Sequence, residues 1–213
     1  MQKLAIYGSD GFAREVLPMV RTGSDYGSDV VFVDDVESKW GQSQNGSLIL
    51  GFDEAVHQGR HFCIAIANCE VRRRIAAKIT EAGAAFFSAT AGSVILYDDI
   101  EIGDGGILCA NSILTSNIRI GKHFHANIYS YVAHDCVVGD YVTFAPRVSC
   151  NGRVVIEDDV YVGTSAILRQ GSHAKPLTIG KGAIIGMGAV VTKDVAAGTT
   201  VIGNPARPME SKA

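Results

Sequence analysis

From residue 90 onward, apolar and polar positions recur along the chain with a period of six. One position in every six, beginning at Thr90, holds Leu, Ile, Val or Phe in 14 of 18 cases and never a charged side chain. The frame holds to Leu168, slips by five residues, and resumes from Ile179 to Ala197. A repeat of this length predicts a parallel β-helix in which each six-residue unit forms one short strand and one corner.

The repeating apolar position is expected to point inward. Three units close one triangular coil, so 18 units make six coils whose inward side chains stack into one core. Glycine follows the inward position in seven units, where about two would be expected from composition, and we predict that it permits unusual φ and ψ angles at the corners. These residues are Gly103, Gly121, Gly139, Gly163, Gly180, Gly186 and Gly198.

The five-residue break in the repeat after Leu168 predicts a loop. Residues 169–176 are polar and include Gly171 and Pro176. Insertions in repeat proteins commonly lie on a functional face. A tolerated surface insertion is the alternative.

Residues 1–87 follow a different pattern, in which strand-like and helix-like stretches alternate. Such alternation predicts a small parallel sheet covered by helices, a Rossmann-like α/β half. The predicted strands are 3–7, 30–33, 48–50 and 62–67, and the predicted helices are 12–20, 52–58 and 71–82. We place the domain boundary near residue 88, with a nucleotide-sugar-binding domain at 1–88 and the β-helix at 89–213.

Composition narrows the class of protein. The chain has 213 residues, of which 47% are hydrophobic and 19% charged, a globular mixture that excludes wholesale disorder. The formal charge of −3 argues against a nucleic-acid partner. No apolar run is long enough to cross a membrane, and no signal peptide is visible. The five cysteines lack a CxxC pair, which favours a reduced cytoplasmic protein without a structural zinc site.

The loop at residues 8–11 follows a strand and precedes a helix, the context in which backbone N–H groups hold phosphates. A dinucleotide fingerprint would have glycine at positions 10 and 13, where this chain has Asp10 and Ala13. Three interpretations remain open: NAD binding, nucleotide-sugar binding, and a tight turn that simply requires glycine. Asp34, at the end of the second strand, is placed to contact a ribose hydroxyl or a base edge.

Five segments are informative together: YGSDG (7–11), FVDD (32–35), AN (67–68) followed by Arg72, SYVAHDCVVG (130–139) and VIGNPA (201–206). Through them the whole chain resembles the sialic-acid O-acetyltransferase and bacillosamine or perosamine N-acetyltransferase family. The family usually has histidine where Phe12 stands. The resemblance implies a left-handed β-helix, a handedness opposite to the usual crossover preference.

The resemblance also implies two ligands, the nucleotide of a sugar substrate and acetyl-CoA. Acetyl-CoA would lie along the groove between neighbouring β-helices, with basic side chains near its phosphates. The implied substrate-binding residues are Gly8, Ser9, Asp10, Gly11, Asp34, Asp35, Asn68 and Arg72. The implied cofactor-binding residues are Thr143, Gly152, Gly163, Gly186, Lys181, Lys193 and Arg207. Thr143 stands where some members have a second histidine that holds the acetyl group, and the three basic side chains have solvated surface positions as their alternative.

His134 is the candidate for chemistry. It is third in its unit, beside Asp135, and that position points away from the core. Histidine titrates near neutrality, so it suits removal of a proton from an attacking amine. The resemblance implies that His134 is the catalytic base and that the Gly152 amide stabilises the oxyanion. Cys150 and Cys136 are expected to pack in the core, so the acetyl group would transfer directly.

The favoured function is a cytoplasmic, acetyl-CoA-dependent N-acetyltransferase acting on a nucleotide-linked amino sugar, for example a 4-amino-4,6-dideoxyhexose in lipopolysaccharide or O-antigen biosynthesis. A homotrimer with sites between subunits is expected. Sialic-acid O-acetylation, a non-catalytic scaffold and a zinc hydratase remain alternatives. The hydratase would need His123, His125 and His134 to converge, yet they occupy the fourth, sixth and third positions of their units, which point in different directions.

Overall fold

The first half of the chain is a parallel sheet with helices on both faces. A computed structural model describes residues 2–23 and 29–209, so the ends of the two predicted domain ranges lie outside the described residues. The sheet order is β3-β4-β2-β1-β5, and only β3 is antiparallel to its neighbour. The elements are β1 (Leu4–Tyr7), α1 (Gly11–Thr22), β2 (Val30–Val33), a 3₁₀ helix (Glu37–Lys39), β3 (Ser43–Gln44), β4 (Ser47–Leu50), α2 (Phe52–His57), β5 (His61–Ile64) and α3 (Cys69–Glu81).

Helices cover both sides of this sheet, which explains why its central strands are apolar throughout. On one side, α1 buries Val16, Leu17 and Val20 against β1 and β2. On the other side, α3 buries Ile75 and Ile79. The strands and helices predicted from the sequence are present with small shifts at their ends, whereas the short edge strand β3 was not predicted.

The second half is a left-handed parallel β-helix with three flat faces. Face 1 contains Ala89–Thr90, Ile107–Leu108, His125–Ala126, Thr143–Phe144, Tyr161–Val162, Ile184–Ile185 and Thr200–Ile202, with Arg207–Pro208 added antiparallel. Face 2 contains Ile95–Leu96, Ile113–Leu114, Tyr131–Val132, Ser149–Cys150, Ile167–Leu168 and Val190–Val191. Face 3 contains Ile100–Ile102, Ile118–Ile120, Val137–Val138, Val154–Ile156 and Leu177–Ile179.

The inward positions form one continuous core, as the period predicts, but the last part of the frame was wrong. Ala197 is exposed, and Val195 and Val201 point inward in its place. The cause is a second break in the repeat, because Val201 pairs with Ile185 only sixteen residues earlier. Cys136 and Cys150 are fully buried in this core.

The glycines after the inward position have a different role from the one predicted. Of the seven, only Gly198 has a positive φ. At Gly121 and Gly139, a Cβ atom would lie 2.7 Å from backbone atoms of the next coil. Most of these glycines are therefore required by the close approach of stacked coils rather than by corner dihedrals.

The left-handed backbone conformation occurs instead at the fourth position of each unit. Successive fourth positions from Asp99 to Ser165 have φ between 51° and 73°, and most of them are not glycine. Residues 18 apart lie on the same corner in neighbouring coils. Asn117, Asp135 and Arg153 are thus stacked on the corner between faces 2 and 3, which we call the 2–3 corner.

Helix α3 fixes the first half against the β-helix. The guanidinium of Arg73 donates to both carboxylate oxygens of Asp159 at 2.8 and 2.9 Å and lies over the ring of Tyr141. The neighbouring Arg72 is fully buried and reaches the β-helix backbone at the Tyr141 carbonyl. These contacts place the first half against face 1 and the corner between faces 3 and 1.

Candidate active site

His134 lies on the 2–3 corner, directly after the strand Tyr131–Val132. Its side chain is 42% exposed, so the outward direction predicted from its position in the repeat is confirmed. The Nδ1 atom is 2.8 Å from Oδ2 of Asp135. A carboxylate only accepts hydrogen bonds, so Nδ1 is the donor in this pair, which leaves the lone pair of a neutral ring on Nε2.

Asp135 is held from the coils on both sides. Asn117, one coil earlier, donates to its Oδ1 at 3.2 Å, and Arg153, one coil later, places Nη2 3.4 Å from its Oδ2. The hydrogen bonds from His134 and Asn117, with the charge of Arg153, lower the pKa of the Asp135 carboxyl. The carboxylate is therefore ionised at neutral pH and oriented toward the imidazole.

Gly152 packs against the ring of His134. A Cβ atom at this position would lie 2.6 Å from both Cε1 and Nε2. The carbonyl of Gly152 accepts a hydrogen bond from the amide of Gly171, the first part of the inserted loop. Gly152 is thus beside the nitrogen expected to act as base, and its amide is the oxyanion donor that the resemblance implies.

The loop at residues 8–11 is built around Asp34 and not around an open anion site. The Ser9 hydroxyl and the Lys39 ammonium both donate to Oδ2 of Asp34, and the Val36 amide donates to Oδ1. Burial opposes ionisation of Asp34, but Lys39 and Ser9 outweigh it and lower the pKa. Both oxygens of Asp34 thus already accept hydrogen bonds within the chain, and its contact with a ribose or base stays a prediction.

The other residues of this loop have different exposures. Gly8 has φ +107 and packs its backbone against the Ala65 carbonyl, so it serves the tight turn. Ser9 is buried, whereas Asp10 and Gly11 are exposed at the start of α1. Asp10 is 3.6 Å from Lys39.

Asp35 is exposed and available to a ligand. Its Oδ1 accepts a hydrogen bond from the Tyr7 hydroxyl at 2.6 Å. Burial, together with Asp35, raises the pKa of Tyr7, which therefore stays a donor. Lys78 lies 3.4 Å from the same oxygen.

Asn68 and Arg72 have structural roles. Asn68 caps α3 by accepting from the Val71 amide at 2.9 Å, although it also lines an open cavity of about 620 Å³ with Cys69 and Tyr161. Arg72, for which we predicted substrate binding, has a fully buried side chain. It donates to the carbonyls of residues 66, 67 and 141.

Thr143 is also committed to the junction between the two halves. It is 4% exposed, accepts from Arg72 at 2.9 Å and donates to the Ala67 carbonyl at 3.0 Å. The contact of this hydroxyl with the acetyl group stays a prediction. Thr143 lies on face 1, whereas His134 lies on the 2–3 corner.

The remaining residues predicted to bind the cofactor do not converge within one chain. Gly163 and Gly186 lie on the corner between faces 1 and 2, where adjacent coils approach closely. Lys181 lies on the corner between faces 3 and 1, within 4 Å of Asp158 and Asp159. Lys193 and Arg207 are exposed and line a separate cavity of about 320 Å³ near the end of the β-helix.

The geometry does not bring three histidines to one metal. His123 and His125 are buried between the first half of the chain and the β-helix, and His134 is on another corner. Burial lowers the pKa of His123 to about 4, and Arg72 adds to this effect. Within residues 2–23 and 29–209, no three His, Cys, Asp or Glu side chains form a metal-binding group. None of the helices described is long and apolar enough to span a membrane.

Two residues of this network were missed from the sequence. Lys39 is held against Asp34 from a 3₁₀ helix, and Arg153 is held against Asp135 from the next coil. The 18-residue spacing between Asp135 and Arg153 is a signal that the repeat itself offers. No comparable signal connects Lys39 to the loop at residues 8–11.

The chain is similar to sugar acetyltransferases over its whole length. Residues 3–79 match the family model described as the PglD N-terminal domain. A protein from Escherichia coli O157:H7 named GDP-perosamine N-acetyltransferase is 46% identical, and the alignment covers 99% of this chain and 97% of that protein.

Solved structures show the same similarity. WeeI from Acinetobacter baumannii AYE is 47% identical with a TM-score of 0.92, covering 98% of this chain and 100% of that one. The acetyltransferase domain of PglB from Neisseria gonorrhoeae FA1090, in complex with acetyl coenzyme A, is 26% identical with a TM-score of 0.84. That match covers 98% of this chain and 99% of the PglB domain.

Proposed function

The chain belongs to the nucleotide-amino-sugar N-acetyltransferases that join a PglD-type N-terminal domain to a left-handed β-helix, and we propose that His134 is its catalytic base. The protein is an acyltransferase that uses acetyl-CoA to N-acetylate a nucleotide-linked amino sugar. The observation that supports His134 is its partly exposed side chain, with Nδ1 held 2.8 Å from Oδ2 of Asp135.

The proposed reaction is a direct transfer. The amine nitrogen of the sugar attacks the thioester carbonyl carbon while Nε2 of His134 removes a proton from that nitrogen. A C–N bond forms, the C–S bond breaks, and the thiolate of CoA takes the proton from His134. The amide of Gly152, beside the ring, is our candidate for the donor that stabilises the oxyanion, a role in which one hydrogen bond contributes about 3 kcal/mol. No cysteine lies beside His134 as an exposed acyl carrier, because Cys136 and Cys150 are buried.

The substrate that we propose is a GDP-linked 4-amino-4,6-dideoxyhexose. The support is the 46% identity to a protein named for GDP-perosamine, an amine acceptor. This relative favours N-acetylation over O-acetylation of sialic acid. In the first half of the chain, the exposed residues Asp10, Gly11, Asp35 and Asn68 remain candidates for nucleotide contacts.

A complete site needs a second copy of the chain. The first half packs on face 1, whereas His134 is on the 2–3 corner, so one chain does not bring the nucleotide loop to its own base. The outward residues of face 2 carry no charge: Ile95, Ile113, Tyr131, Ser149, Ile167 and Val190. Covering such a face removes apolar area from water. We therefore propose a homotrimer in which each His134 serves a nucleotide sugar held by a neighbouring subunit.

We also propose that the reaction takes place in the cytoplasm. All five cysteines are unpaired, and four of them are buried. Free thiols without disulfides are typical of a reducing compartment.

The test is a comparison of acceptors with acetyl-CoA. GDP-, dTDP- and UDP-linked 4-amino sugars and free sialic acid are offered, and release of CoA thiol is followed. We expect the fastest release with a GDP-linked amino sugar. Turnover on sialic acid without turnover on any amine would contradict the proposal. Sedimentation equilibrium tests the trimer independently.

A further inference from the structure

We propose that Arg153, held by His173 of the inserted loop 169–176, is a positioning residue that fixes the Asp135 carboxylate against which His134 is oriented. The inference rests on the proposed role of His134. It assigns a role to the insertion, which otherwise has no place in the reaction.

The first step of the argument is the position of Arg153. It stands 18 residues after Asp135, on the same corner and in the same left-handed conformation, with φ +57. Its backbone amide donates to the His134 carbonyl at 2.9 Å. The coil that carries Arg153 is thereby in register with the coil that carries the base.

The second step is the side chain. The guanidinium Nη2 lies 3.4 Å from the Asp135 oxygen that also binds His134, and the side chain is 22% exposed. Asn117 binds the other oxygen from the opposite side. Asp135 is therefore held between two coils, and neither of its oxygens can rotate away without losing a contact. A second-layer partner of this kind fixes the orientation of the group that acts on the substrate.

The third step is the loop. The Nη2 atom of Arg153 is 3.0 Å from Nε2 of His173. Because a guanidinium only donates, this contact uses the lone pair of His173 Nε2 as the acceptor. Two residues further along the loop, Lys175 lies 3.3 Å from Asp194, and hydrogen bonds join Ser172 to Lys175. The insertion, whose residues 172–176 are exposed, thus contacts Arg153 through His173.

The chain contains a matched control. Arg147 occupies the same fourth position of its unit with φ +63, but it lies on another corner and is exposed. Replacing either arginine by glutamine therefore imposes the same backbone demand. Only the substitution at 153 removes the positive charge that lies beside the Asp135 carboxylate.

The experiment measures kcat and KM for both substrates, together with Tm. We expect Arg153→Gln to lower kcat by about tenfold, as for a misplaced catalytic group, with KM within about threefold of wild type. Arg147→Gln should leave kcat unchanged, Arg153→Lys should recover part of the loss, and His173→Ala should lower kcat less than Arg153→Gln. Equal kcat values for the two glutamine variants would overturn the proposal.

A double-mutant cycle separates positioning from a general structural effect. In an Asp135→Asn background, Arg153→Gln should lower kcat by less than about twofold, because the group through which it acts is already altered. An undiminished effect in that background overturns the proposal. Wild-type protein that releases no CoA with any amino sugar would instead contradict the proposed function.

A spectroscopic readout is independent of turnover. In protein labelled with ¹⁵N-histidine, the His134 ring signals, assigned with His134→Ala, should report a proton on Nδ1. Arg153→Gln should change these signals and Arg147→Gln should not. Unchanged His134 signals in Arg153→Gln would overturn the positioning role even if no acceptor sugar is found.

Discussion

Gly152 lies so close to the ring of His134 that a Cβ atom would be 2.6 Å from Nε2. Substituting Gly152 by Ala should therefore displace the imidazole while leaving the core intact. We expect kcat to fall by about a hundredfold, because a displacement of about 1 Å has an effect of that size. Steady-state kinetics measure it. The control is Gly92→Ala, where a Cβ atom meets nothing within 4 Å. A Gly152→Ala enzyme as active as the Gly92→Ala enzyme would contradict the prediction.

His134→Ala should retain the fold and lose most of the activity. The side chain is 42% exposed, so its removal creates no cavity. We expect kcat to fall by about 10²–10⁴-fold, the contribution of a general base, with Tm close to that of wild type. His57→Ala, at the exposed end of α2, is the control. Activity of His134→Ala within threefold of wild type would remove this residue from the mechanism.

Arg72→Ala should destabilise the protein. The buried guanidinium donates to three backbone carbonyls and the Thr143 hydroxyl, so its loss leaves these acceptors without a partner at the junction. Each unsatisfied buried group costs about 1–3 kcal/mol. We expect urea unfolding to show a loss of several kcal/mol. Arg74→Ala, on the exposed side of the same helix, should change the free energy of unfolding little. Equal losses of unfolding free energy in the two variants would contradict the stabilising role of Arg72 at the junction.

Low pH should reduce the free energy of unfolding through His123. Burial, with the charge of Arg72, lowers the pKa of this ring to about 4, whereas an unfolded histidine has a pKa of about 6.5. Below pH 6.5 the unfolded chain takes up a proton that the folded chain does not, so stability falls as pH falls toward 4. This difference corresponds to about 3 kcal/mol.

Urea midpoints at pH 7 and pH 4.5 test this effect. His123→Phe keeps an aromatic ring against Tyr141 and Phe86 and should show a smaller loss between the two pH values than wild type. His57→Gln, at an exposed position, should lose as much as wild type. A His123→Phe protein with the full acid sensitivity of wild type would contradict the assignment.

The repeat made much of the β-helix predictable from the sequence. Inward positions from Leu108 to Val191 follow from the period alone, because one side chain in six must fill the core. The period also fixes the outward direction of His134. It does not reveal the two-residue shortening before Val195, because valine and alanine at 195, 197 and 201 are all compatible with a core.

The contacts of the site were less predictable, because they join residues far apart in sequence. Asp34 was expected to contact a ligand, but its Oδ2 atom accepts hydrogen bonds from Lys39 and Ser9. Arg72 matched a family motif, yet its target is the carbonyl of Tyr141, 69 residues later. A motif identifies a residue type and a position, whereas burial depends on which element folds over it. The frequent glycines after the inward position are evident from the sequence, but the role predicted for them was wrong. The close approach of stacked coils cannot be recognised from a single six-residue unit.

Stacking of coils also sets the length of the β-helix in fixed steps. Each coil advances the structure by one inter-strand spacing, about 4.8 Å. Insertion or removal of one 18-residue coil between Thr143 and Val190 would keep the three faces in register but would move the C-terminal corner by one such step relative to the PglD-type domain. His134 precedes Thr143 and would stay in place, so the distance between the proposed base and the C-terminal corner is set in whole increments, and a fine adjustment has to come from loops such as 169–176.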